Sequence, residues 1–143
     1  MTPIETLEFA KKNDVKQLDL RFTDLPGVQQ HVSYPIGELS ESSFEEGFGF
    51  DGSSIRGWAA INESDMLLIP DPATAFVDPF YEIKTLVKNC NVIDPITRQS
   101  YDRDPSWIAR KAELYVKNPG LAATAVFGAE ADSCIFATSP FDT

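Results

Sequence analysis

From Lys16 to Thr23 apolar and polar side chains alternate, with Leu18, Leu20 and Phe22 on one face and Asp19 and Arg21 on the other, which commits this stretch to a strand. Leu25-Pro26-Gly27 then breaks the pattern with a turn signal, and period two resumes through Val28, Gln30 and Val32 as far as Tyr34. A hairpin is the most economical connection between the two runs, in a sheet with one face toward water. Met66 to Ile69, ended by Pro70-Asp71-Pro72, predicts another strand. So does Ile83 to Ile93, in which Ile83, Thr85, Val87 and Asn89 alternate.

Helices are signalled by their ends. Thr2 precedes Pro3 and stands three residues before Glu5, the arrangement of a capping box, and Ile4, Leu7 and Ala10 form a thin apolar stripe through about Asn13. Between Pro35 and Gly57 the chain is rich in Gly, Ser and Glu and reads as a loop with room for a brief helical turn around Ser42 to Glu46. Up to about Pro95, four or more strands and one helix predict an α+β sheet domain rather than a row of βαβ units. A second unit opens at Tyr101. Asp104 and Pro105 begin a helix that places Trp107, Ile108, Lys111, Ala112, Tyr115 and Val116 near one face until Pro119-Gly120, and a last strand is expected from about Ala123 to Phe136. One helix and one strand have too few partners to enclose a second core, so this 143-residue chain is expected to stop inside a larger domain.

Charge narrows the choice of partners. Twelve Lys and Arg against 22 Asp and Glu leave a net charge of −10, which disfavours a broad grip on nucleic acid or an anionic membrane. No apolar run approaches a bilayer span and no signal-peptide pattern precedes the first helix, so a cytoplasmic protein is predicted. Cys90, Cys134 and the single histidine, His31, offer neither a disulfide framework nor a zinc spacing, and any metal must be held by oxygen. Unreactive burial is the expectation for both cysteines, and a satisfied or exposed strand position for His31.

Two groups of residues carry chemistry. In Glu130-Ala131-Asp132, a strand would point both carboxylates the same way, a spacing that suits divalent ions but equally an exposed acidic strand face. In Phe48-Gly49-Phe50-Asp51-Gly52-Ser53-Ser54-Ile55-Arg56-Gly57-Trp58, glycines flank Asp51 while Ser53 and Ser54 offer hydroxyls and N–H groups beside it. Such an anchored carboxylate can bind a small cation or take a proton from an amine; an Asx turn in a surface loop is the plainer alternative. No lysine follows these glycines where a phosphate-binding loop needs one. Trp58 suits stacking on a ligand, anchoring a neighbouring subunit or ordinary packing, whereas Trp107 is expected in a core or an interface.

Taken in order, Asp19-Leu20-Arg21-Phe22-Thr23-Asp24, the Gly47 to Trp58 string, Asn62-Glu63-Ser64-Asp65-Met66, Tyr101-Asp102-Arg103-Asp104-Pro105 and Phe127-Gly128-Ala129-Glu130 closely resemble the amino-terminal part of bacterial-type glutamine synthetase. The resemblance implies a β-grasp domain over residues 1–98 and the start of an α/β catalytic domain, incomplete, over 99–143. In that family ATP phosphorylates the γ-carboxylate of glutamate and ammonia displaces the phosphate, with Mg2+ or Mn2+ neutralising charge. By resemblance, Asp51, assisted by Ser54, would bind ammonium and remove its proton across a subunit boundary, and Glu130 and Asp132 would hold metal. Implied partners are further copies of the chain or full-length synthetase subunits, with glutamate and ammonium bound only in a complete site.

The sequence departs from the family string at its end. Ala129 and Ala131 stand in place of prolines, Asp132 is one methylene shorter than the usual glutamate, and Ser133 and Cys134 replace bulky aromatics. Further metal ligands, substrate arginines and a nucleotide pocket are expected elsewhere in the family, so the chain alone is expected to be inactive. The alternative is a catalytically inactive short paralogue serving as an oligomerisation or regulatory binding module.

Overall fold

The computed structural model describes residues 1–58, 64–118, 120, 122–124, 126 and 128. Helix α1 (Pro3–Lys12) begins with the expected capping box. Thr2 Oγ1 accepts from the Glu5 amide at 3.2 Å, and the Glu5 carboxylate accepts from the Thr2 amide at 2.8 Å. Strands β1 (Gln17–Thr23) and β2 (Gln29–Pro35) form the anticipated antiparallel hairpin, in which Leu20 faces Val32 and Arg21 faces His31.

The segment expected to be a loop holds the anticipated helical turn and, beyond that reading, a strand. Helix α2 (Ser43–Glu46) is followed by strand β3 (Phe48–Asp51), which pairs antiparallel with β4 (Asp65–Pro70). Gly47, at φ +80°, makes the bend between α2 and β3, and a Cβ there would lie 2.6 Å from Ile69 Cδ1. Gly47 and Gly52 thus shape the entry and exit of a strand, and Gly49 lies within it. The two-residue strand β5 (Phe76–Val77) and β6 (Thr85–Ile93) complete the sheet.

The order is β2-β1-β6-β4-β3, with β5 also on β6. Strands β1 and β6 are parallel neighbours and the remaining pairings are antiparallel. This is the mixed sheet of an α+β domain. Leu18, Leu20, Phe22, Met66, Leu68, Leu86, Cys90 and Val92 are buried in its core, together with Ala10 and Val15 from α1 and its exit.

Asp19 and Lys88 are among the charged residues that the structure buries. Asp19 is fully buried although the alternation places it on the water-facing side, because Arg21, His31 and Ser33 close over its carboxylate. Lys88, in register with Leu20, is also fully buried, its Nζ 2.9 Å from the Pro72 carbonyl and 5.5 Å from the centre of the Phe44 ring.

Beyond Asn89, β6 has outrun its pairing with β1, and a different segment satisfies the Val92 backbone. Its carbonyl accepts from the Tyr101 amide at 2.9 Å, and its amide donates to Asp104 Oδ2 at 3.0 Å. Asp104 also caps helix α3 (Pro105–Lys117) by accepting from the Ser106 amide. The last expected strand, with Glu130, Asp132 and Cys134, lies outside the described residues.

Candidate functional site

Asp51 ends β3, opposite Asp65 of β4, and its side chain is exposed. The next residue, Gly52, is buried: its amide donates to the Ser64 carbonyl at 2.7 Å, and a Cβ on it would meet Met66 Sδ at 2.7 Å. Any side chain at 52 would therefore lift the backbone off β4, which explains a glycine directly after the carboxylate.

The Asp51 carboxylate caps the 3-10 turn Gly52–Ser54, its Oδ1 accepting from the Ser53 amide at 2.8 Å and from Ser53 Oγ at 2.7 Å. The Ser53 hydroxyl and amide hold the carboxyl below the usual carboxylate range, with smaller contributions from Ser64 and Ser54. Ser53, not Ser54, is the closest support, and an Asx-type turn and an anchored anion coexist in one structure. Hydrogen bonds that favour the ionised form also lower its appetite for a proton. The group is thus better built to attract a cation than to act as a strong base.

Behind this carboxylate the loop turns inward. Trp58, only 4% exposed, packs among Phe22, Phe50 and Tyr101 at ring-centre distances of 5.5, 6.1 and 5.3 Å. Packing is therefore the role the structure gives Trp58; no face of the ring is free for a ligand. Trp107 is partly buried at the start of α3, with Lys111 Nζ 5.7 Å from its ring centre.

The remaining sequence candidates separate from this loop. His31 has a partner that the strand pattern did not reveal: its Nδ1 lies 2.8 Å from Asp19 Oδ1, on the sheet face away from the aromatic cluster. Cys90 is buried, and burial pushes its thiol well above the ordinary range, in keeping with an unreactive group. Among the described residues no three His, Cys, Asp or Glu side chains converge on a metal-sized site, and no helix is long and apolar enough to cross a membrane. Glu130 and Asp132 lie outside the described residues.

The β-grasp domain of glutamine synthetase matches residues 14–95, more than half of the chain. The chain belongs to the glutamine synthetase family. It is 54% identical over 142 residues to the glutamine synthetase of Aquifex aeolicus, covering 99% of this chain and 30% of that protein. It is also 52% identical over 132 residues to a 3-hydroxylaminophenol mutase of Cupriavidus pinatubonensis, covering 92% of this chain and 28% of the mutase. A solved structure of Plasmodium falciparum glutamine synthetase superposes with a TM-score of 0.75 at 27% identity, over 84% of this chain and 23% of that one. The chain thus spans less than a third of the length of these relatives, and the match is to their N-terminal portion.

Proposed function

We propose that this chain is the part of a glutamine synthetase that delivers Asp51 to the ammonium subsite. The enzyme's reaction joins ammonia to glutamate at the expense of ATP, through a γ-glutamyl phosphate. The observation that carries the proposal is the Asp51 carboxylate itself: exposed, kept ionised by Ser53, and fixed to the end of a sheet strand by the Gly52–Ser64 bond. A fixed anion of this kind attracts ammonium by charge and by accepting its N–H bonds, and holds it in one place for attack. Ser54, exposed beside it, is positioned to add a hydroxyl acceptor.

Because Asp51 stands on the domain surface, the complementary groups come from another surface. The reading is that it completes the site of a neighbouring subunit, either a second copy or a full-length synthetase subunit, in a cytoplasmic assembly. Residues 1–98 form the β-grasp unit, and 99–143 open the catalytic unit. Glu130 and Asp132 would be the residues of this chain that hold Mg2+ or Mn2+, ions that neutralise phosphate charge when bound. No step assigned to Asp51 depends on them.

Mixing the chain with a catalytic portion of the Aquifex aeolicus relative that lacks its own β-grasp portion tests the reading. Glutamate-, ammonium- and ATP-dependent phosphate release is expected from the mixture, none from the chain alone, and none with Asp51→Asn. Equal release with Asp51→Asn would overturn the assignment.

A further inference from the structure

The Asp51 loop is held at two ends, and the second hold comes from outside the sheet. At its exit, Arg103 Nη1 donates to the carbonyls of both Gly57 and Trp58, each at 2.8 Å. Gly57, at φ +82°, lies in the turn that leads into these two carbonyls. Among the described residues the buried Trp58 Nε1 has no hydrogen-bond partner, so the polar restraint on this residue falls on its backbone, the carbonyl held by Arg103 and the amide by the Ile55 carbonyl.

Arg103 lies within a short segment with three grips. The Tyr101 ring packs on Trp58, Arg103 takes the loop carbonyls, and the fully buried Asp104 binds the Val92 amide of β6 while capping α3. From Trp58 back to Asp51 the backbone is itself linked in two steps. The Trp58 amide donates to the Ile55 carbonyl and the Ile55 amide to the Gly52 carbonyl, both at 3.1 Å. Gly52 is the residue locked under Met66 and Ser64, next to Asp51.

We propose that Arg103 is a positioning residue for Asp51: it fixes the loop exit to the α3 cap, and the two backbone links carry that restraint to the carboxylate. A displacement of α3 is thereby felt at the ammonium subsite, which gives the helix a means of regulating it. The functional meaning rests on the ammonium reading of Asp51; the mechanical coupling does not.

The test is NMR on the 143-residue chain, following amide exchange at Ser53 and Val92 and the titration of the Asp51 carboxyl. In Arg103→Ala, Ser53 exchange should rise about tenfold, as expected on losing hydrogen bonds to a charged group. Asp51 should titrate closer to an ordinary aspartate, and Val92, held by Asp104, should keep its protection. Arg103→Lys, whose ammonium keeps the charge but ends one bond short of Nη1, should restore Ser53 and Asp51 only in part. Unchanged Ser53 and Asp51 in Arg103→Ala would overturn the coupling, as would loss of Val92 protection in parallel with Ser53, which marks a general structural role. If Arg103→Ala does not fold, Arg103→Met, which keeps the stem and removes the donors, decides: raised Ser53 exchange and a shifted Asp51 titration with Val92 intact support the coupling, and native Ser53 and Asp51 behaviour refutes it. The ammonium-dependent phosphate release of the chain mixed with the catalytic portion is a separate arm. Release unaffected by Asp51→Asn would sink the ammonium reading while leaving the Arg103 result standing.

Discussion

Arg21 spans the sheet face opposite the aromatic cluster to reach Asp78, its Nη2 2.6 Å from Asp78 Oδ2, while its Nε donates to Asp19 Oδ2 at 2.7 Å. One guanidinium therefore ties the first strand to the segment after β5, 57 residues away. Asp19 also accepts from Ser33 Oγ at 2.9 Å and lies 2.8 Å from His31 Nδ1, so the fully buried carboxylate is surrounded by donors.

Asp19→Ala should cost about 3 kcal/mol, since it leaves a partly buried guanidinium with one carboxylate instead of two. Burial raises the Asp19 carboxyl, but hydrogen bonds from Arg21, His31 and Ser33 together outweigh it and hold the group below its ordinary 3.8. Its contribution is thus present above that value and is lost as pH falls through the lower, folded value. Urea unfolding of Asp19→Asn should show lower stability near neutrality and a smaller further loss on acidification than the unsubstituted chain.

Lys88 should show a slope of the same sign in an alkaline window. Burial lowers its ammonium from 10.5 to about 8, against a weaker opposing pull from Asp71. Between these values the unfolded chain carries the proton and the folded chain releases it. Stability should therefore climb with pH across this window at no more than about 1.4 kcal/mol per unit from this group. Lys88→Met should remove that component while leaving the Pro72 carbonyl without its lysine donor. A pH series of unfolding free energies on both chains, with an identical slope in each, would refute the assignment.

Trp58→Ala should destabilise by about 3–5 kcal/mol, because it empties a space lined by Phe22, Phe50 and Tyr101. Trp58→Phe should cost much less, since the indole N–H has no partner to lose. Thermal unfolding that ranks the two variants equally would contradict the packing role.

Gly52→Ala should cost about 1–3 kcal/mol through overpacking, as the new methyl meets Met66 Sδ at 2.7 Å and the Ser64 carbonyl at 3.0 Å. Denaturant unfolding gives the cost. Ser53 amide exchange should rise in the same variant, because the turn under Asp51 is displaced.

The signals that were read correctly are short in range. The Thr2–Glu5 capping box and the β1–β2 hairpin are encoded within a few residues, where periodicity and turn chemistry act directly. Strand β3 was hidden because its partner, β4, follows an intervening segment, and glycine content alone suggested a loop. Ser53 and Ser54 both offer hydroxyls beside Asp51, and the 3-10 turn brings that of Ser53 to 2.7 Å from its carboxylate. That choice depends on backbone geometry, not on residue type.

The sequence by itself determined the α+β class, the family and the placing of Asp51 beside hydroxyls and glycines, because strand alternation, capping and turn propensities act locally. Tertiary structure alone decided that Asp19 and Lys88 are buried, that Trp58 faces the core and that Arg103 grips the loop. Each of these outcomes requires a partner from a distant part of the chain, and only folding brings such groups within the few ångströms at which hydrogen bonds and close packing operate.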